Sequence, residues 1–110
     1  EGERDQMGEV ILIVARLFIH PGREGEFREF ERAAARIMGR YGGRIERVIR
    51  PLSANQGGPL PHEIHLVSFP SQDQFEAYRA DAKLAGLAAL RQAAIARTEL
   101  VVGREGERYL

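Results

Sequence analysis

The hydrophobic positions of this chain change period several times, and each change marks an element. From Val10 to Ile19, β-branched, aliphatic and aromatic residues run without a breaker, which predicts a long strand ending at His20-Pro21-Gly22. From Phe27 the large apolar side chains recur at Phe27, Phe30, Ala34, Ile37 and Tyr41. These intervals of three and four build one helical face, with Arg28, Glu29, Arg32, Arg36 and Arg40 around the other. Gly42-Gly43 stops that helix. Arg44 to Arg50 alternates as a second strand, Pro51 closes it, and the turn-rich segment Leu52 to Pro61 leads to a third strand from Glu63 to Phe69. Ser71 and Gln74 have the spacing of a capping box, which opens a second helix. Its buried side is expected from Phe75, Tyr78, Leu84, Leu87, Leu90, Ala94 and Ile95, with an irregularity near Ala80 to Ala82, and Thr98 to Gly103 forms the last strand.

The order β-α-β-β-α-β is the split-βαβ or ferredoxin-like α+β arrangement, a four-stranded antiparallel sheet with two helices on one face. Side chains alternate across a strand. The odd positions Ile11, Ile13, Ala15, Leu17 and Ile19 are wholly apolar and belong under the helices. The even positions, Val10, Leu12, Val14, Arg16, Phe18 and His20, are too apolar for a face left in water. The chain offers no further element to cover them, so a homodimer through the sheet face is expected, two sheets closing a β-barrel with the helices outside.

Composition narrows the function classes. A chain of 110 residues with 44% apolar content makes one domain, expected over residues 9–104 between polar tails at 1–8 and 105–110. The absence of cysteine removes thiolate nucleophiles, thiolate metal sites and redox pairs, and it suits a cytoplasmic setting. Sixteen basic and sixteen acidic side chains cancel, which argues against a nucleic-acid partner, since that needs a basic stripe. The longest apolar run, Val10 to Ala15, falls far short of the roughly 20 residues that span a bilayer, so no membrane association is expected.

Several segments resemble the dimeric α/β-barrel superfamily: HPGREGEFREFE before the first helix, RYGGRIERV into the second strand, and VSFPSQDQFEAYRADAKLAGLAALRQAA followed by TELVVG. The resemblance spans about Val10 to Gly103. Tyr41 to Gly43, Phe69 to Ser71 and Leu90-Arg91 are most similar to the superfamily's small family of domains of unknown function, and HPGREGEF is similar to the cofactor-independent antibiotic-biosynthesis monooxygenase branch. The resemblance implies a dimeric barrel with a pocket and no cofactor. Where the unknown-function family has an acidic residue before Phe-Pro-Ser, this chain has Ser68, and no catalytic residue carries over.

The candidate ligand-binding residues are Arg16, His20, His65, Ser68 and Tyr78. A guanidinium in the middle of an apolar strand face must be paired, with Glu99 or Glu46, or must anchor an anionic substrate. His20 at the strand end is a candidate base at a pocket mouth, and Tyr78 a hydroxyl reaching water or ligand. His62 and His65 are expected on opposite strand faces, so they do not chelate, and no metal site is expected. Ser68 lies in no nucleophile elbow. Alternation alone leaves open which sheet face holds Ser68 and His65. The residues support a protein that binds a small apolar or aromatic molecule; the alternative is a cofactor-independent monooxygenase or isomerase acting on a small aromatic or polyketide-like substrate, with Arg16 meeting a developing oxyanion. Whether the domain is an enzyme is left undecided by these residues.

Overall fold

The computed structural model describes residues 9–109, so the expected N-terminal tail at 1–8 lies outside the described residues. The elements are β1 (Ile11–Ile19), α1 (Glu24–Gly39), β2 (Arg44–Ile49), β3 (Glu63–Phe69), α2 (Gln72–Arg79), α3 (Ala82–Ala85), α4 (Ala88–Ala94) and β4 (Ile95–Gly103). The strands form one antiparallel sheet in the order β2-β3-β1-β4, so the two strands next to each other in sequence after α1 flank one side of β1 and the last strand pairs on the other. This is the ferredoxin-like α+β fold.

The expected second helix is three helical pieces. Ser71 caps α2 by accepting from the Gln74 N–H at 3.2 Å, but Asp81 then adopts an extended conformation and its carboxylate accepts from the Lys83 and Leu84 N–H groups, starting a new helix. A residue that caps one helix cannot continue another. Ile95, expected on the helical face, is instead the buried first residue of β4, which begins three residues earlier than its apolar alternation suggests.

Ile11, Ile13, Ala15 and Leu17 of β1 are buried under the helices, and Val67 and Phe69 of β3 share that side. Two apolar clusters result. One joins Ala15 and Leu17 to Phe27, Phe30 and Ala34 of α1 and to Ala94 and Ile95; the other joins Ile11, Ile13, Val67 and Phe69 to Met38 and Phe75. Gly43 makes the turn into β2 at close quarters: a Cβ there would stand 2.5 Å from both Met38 Cγ and Phe69 Cε1. Gly42 beside it has φ of +74°, the left-handed conformation that glycine adopts without strain.

Candidate functional site

Between the two clusters lies a cavity of about 370 Å³, lined by side chains from all four strands and from α1 to α4, Arg91 of α4 and Thr98 of β4 among them. Its aromatic wall is a cluster of tilted rings: Phe69 has its ring centroid 5.3 Å from that of Phe75 and 5.4 Å from that of Tyr78. Its polar groups are Glu31, His65, Tyr78, Arg79, Arg91 and Thr98, and Arg91 donates to Thr98 Oγ1 at 3.4 Å.

His65 is the centre of the polar side. On β3 the inward positions are Glu63, His65, Val67 and Phe69, so two polar residues occupy a strand face that is otherwise apolar. His65 Nε2 lies 2.8 Å from Glu63 Oε1, and Nδ1 lies 3.6 Å from Glu31 Oε1 on α1. Glu63 Oε2 in turn accepts from Arg50 Nε at 3.3 Å. With its side chain only 20% exposed, Glu31 has its carboxyl pushed above the usual range by burial first, against the opposing pull of His65 and Arg91. The Tyr78 hydroxyl is raised to about 12, chiefly by burial and next by the Glu31 charge.

The five candidates from the sequence divide between the two sheet faces. His65 and Tyr78 line the cavity. Arg16 and Ser68 point from the opposite face: Arg16 is 45% exposed and pairs with Glu99 at 3.0 Å, its cross-strand partner on β4, while Ser68 donates to Glu46 at 2.6 Å. His20 is exposed in the turn after β1, where its backbone N–H donates to Ala94 O and its carbonyl accepts from Arg23 N. His62 corrects the expectation of opposite faces, because it precedes the strand and alternation does not govern it. Its ring packs edge-on against Phe27 at 5.2 Å, and the His65 ring lies 6.4 Å from the same Phe27. Among the described residues no three His, Asp or Glu side chains form a group able to hold a metal ion.

Glu31, Glu63 and Arg91 belong to the site and are not among the five candidates that the sequence offers, although Arg91 falls in the Leu90-Arg91 motif. A signal for Glu31 exists: it falls four residues after Phe27 and three before Ala34, inside the apolar stripe of α1. Glu63 similarly stands in register with His65, Val67 and Phe69.

No family model matches the chain, and no curated protein matches it. Solved structures do. RPA0582, a protein of unknown function from Rhodopseudomonas palustris, superposes with a TM-score of 0.78 at 16% identity over 92% of this chain and 85% of that one. SnoaB, a cofactor-independent oxygenase from Streptomyces nogalater, gives a TM-score of 0.69 at 16% identity over 92% and 97% of the two chains. A candidate antibiotic-biosynthesis monooxygenase from Caulobacter crescentus gives 0.71 at 14% identity over 97% and 100%. At such identities the likeness establishes the fold, which is common to both groups that the sequence resembles, the proteins of unknown function and the antibiotic-biosynthesis monooxygenases. Among the described residues no helix is long and apolar enough to cross a membrane.

Proposed function

We propose that this protein is a cytoplasmic homodimer that binds a small apolar or aromatic molecule in the cavity between its sheet and its helices. The observation that carries the reading is the composition of that cavity. Its volume of about 370 Å³ is near the lower end of the ligand-pocket range, its walls are aliphatic and aromatic, and its few polar groups converge around His65. Of the sequence candidates, His65 and Tyr78 touch the ligand in this reading, while Arg16 and Ser68 belong to the dimer interface.

The occupant of the open sheet face is a second copy. Leu12, Val14 and Phe18 of β1, Ile64 and Leu66 of β3, and Val101 of β4 crowd that face with apolar surface. Its charges come in opposite pairs, Arg16 and Arg97 with Glu99 and Arg44 with Glu46, so a two-fold partner meets a surface complementary to its own. Native mass spectrometry of freshly purified protein tests both parts: a dimer carrying a small organic molecule is expected. A monomer refutes the interface, and a ligand-free protein whose melting temperature naphthalene does not raise refutes the pocket.

A second reading, a cofactor-independent oxygenase or isomerase, is favoured by the ionisable groups in the apolar cavity and by the shared fold with SnoaB. In that reading the cavity excludes water from a proton transfer.

A further inference from the structure

Binding an apolar molecule does not require a carboxyl largely shielded from water, yet Glu31, its side chain 20% exposed, stands in the cavity wall. A carboxylate removed from water is costly unless it is paired, and an aliphatic residue in the same helical stripe would pack without that cost. Glu31 is also the inner end of a row. Its Oε1 faces His65 Nδ1 at 3.6 Å, His65 Nε2 faces Glu63 Oε1 at 2.8 Å, and Glu63 Oε2 takes the Arg50 N–H at 3.3 Å. The Arg50 ion pair keeps Glu63 an acceptor beside His65 Nε2, which leaves His65 Nδ1 facing Glu31. The row therefore ends on a carboxyl in the cavity that has an imidazole nitrogen behind it.

We propose that Glu31 is a proton-transfer residue for an enolisable carbonyl compound bound in the cavity, with His65 and Glu63 as its positioning residues; this rests on the cavity being a small-molecule site. A Glu31 oxygen forms an O–H bond with the hydrogen on the carbon next to the carbonyl. That C–H bond breaks, and its electron pair moves into the carbonyl to give an enolate. Arg91, one of two arginines in the cavity lining, meets the charge on the enolate oxygen. The protonated Glu31, held facing His65 Nδ1 at 3.6 Å, returns the proton to the same carbon or to a conjugated one, so the net change is exchange or isomerisation and no oxidant is consumed. Burial, which raises the Glu31 carboxyl, makes it a stronger base toward carbon acids. The ionisable groups facing it are His65 and Glu63 from β3, Tyr78 from α2 and Arg91 from α4, with Arg50 behind Glu63 and Arg79 on the same cavity wall.

The probe is β-tetralone, a bicyclic ketone with acidic benzylic hydrogens beside its carbonyl, and naphthalene is the control with the same ring frame and no such hydrogens. Saturation-transfer NMR reads binding, and loss of the benzylic proton signal in heavy water reads exchange. The protein is expected to bind both and to accelerate exchange of the ketone saturably over buffer. Glu31→Gln is expected to keep binding while exchange falls by about 100-fold or more, the usual scale of general acid–base catalysis. Glu31→Asp, which keeps the acid, restores part of the rate, and His65→Gln shifts the dependence of the rate on pH. A bound ketone that exchanges no faster than in buffer, or as fast with Glu31→Gln, overturns the inference and leaves the pocket standing, as does naphthalene binding with the ketone refused. Refusal of both compounds overturns the pocket and the inference together.

Discussion

His65 Nε2 lies 2.8 Å from Glu63 Oε1, two residues earlier on the same inward face of β3. Both are buried, and this contact gives the His65 ring a carboxylate partner at hydrogen-bond distance, with Arg50 on the other oxygen of Glu63. Glu63→Leu is expected to destabilise the fold by about 1–3 kcal/mol, because the His65 N–H loses its acceptor, whereas Glu63→Gln keeps an acceptor oxygen and costs less. Urea denaturation of the two variants measures the difference, and equal losses would remove the special role of the acceptor.

Glu31 couples stability to pH. Its carboxyl is raised above its ordinary 4.5 by burial, so the folded state holds that proton more tightly than the unfolded one. Stability is therefore fully present below pH 4.5 and falls as pH rises through the folded value. Glu31→Gln removes this loss: melting temperatures of variant and parent should agree near pH 4 and diverge toward neutrality, with the variant higher. A variant that melts lower at neutral pH contradicts the sign.

Gly43→Ala tests the close approach of the β2 turn to the core. The new methyl would lie 2.5 Å from both Met38 Cγ and Phe69 Cε1, and Phe69 is fully buried against the tilted rings of Phe75 and Tyr78. Overpacking of this kind costs roughly 1–3 kcal/mol. Calorimetry should show the loss together with weaker naphthalene binding, because Phe69 also lines the cavity.

Tyr41 Oη donates to Asp81 Oδ2 at 2.6 Å, tying the turn after α1 to the residue that caps α3. The bond holds Asp81 below its ordinary 3.8 and Tyr41 above its ordinary 10.0. The Asp81 contribution is present above pH 3.8 and lost as pH falls through the folded value, and the Tyr41 contribution is lost as pH rises past 10. Tyr41→Phe should melt lower than the parent at neutral pH, with the gap closing in acid; a constant gap across pH would point to packing alone.

Val14, half-buried on the open sheet face, stands opposite Val101 of β4 and Leu66 of β3. If the proposed dimer forms through this face, Val14→Asp is expected to sediment as a monomer with its far-ultraviolet circular dichroism unchanged. A parent protein that sediments as a monomer removes the interface.

Much of the architecture was legible along the chain. The run Val10 to Ile19, the helical stripe from Phe27 to Tyr41, the Ser71 cap and the strand Glu63 to Phe69 all report geometry within a few neighbouring residues, and periodicity reads such geometry directly. The odd positions of β1 likewise declared the face that packs under the helices. The ion pair of Arg16 with Glu99 was also within reach, as a charge on an apolar strand face needs a partner.

The cavity was decided only by the tertiary structure. Alternation is the same whichever face is turned inward, so β3 by itself did not say whether His65 or Ser68 meets the helices; pairing with β1 settles it by placing His65 opposite the buried Ala15 and Ser68 opposite Leu12. Glu31 stands out along the chain as a charge inside the apolar stripe of α1, but that it meets His65 is fixed only when α1 packs over the sheet. Side-chain direction is a local property of the backbone, whereas the meeting of two distant side chains depends on how whole elements pack.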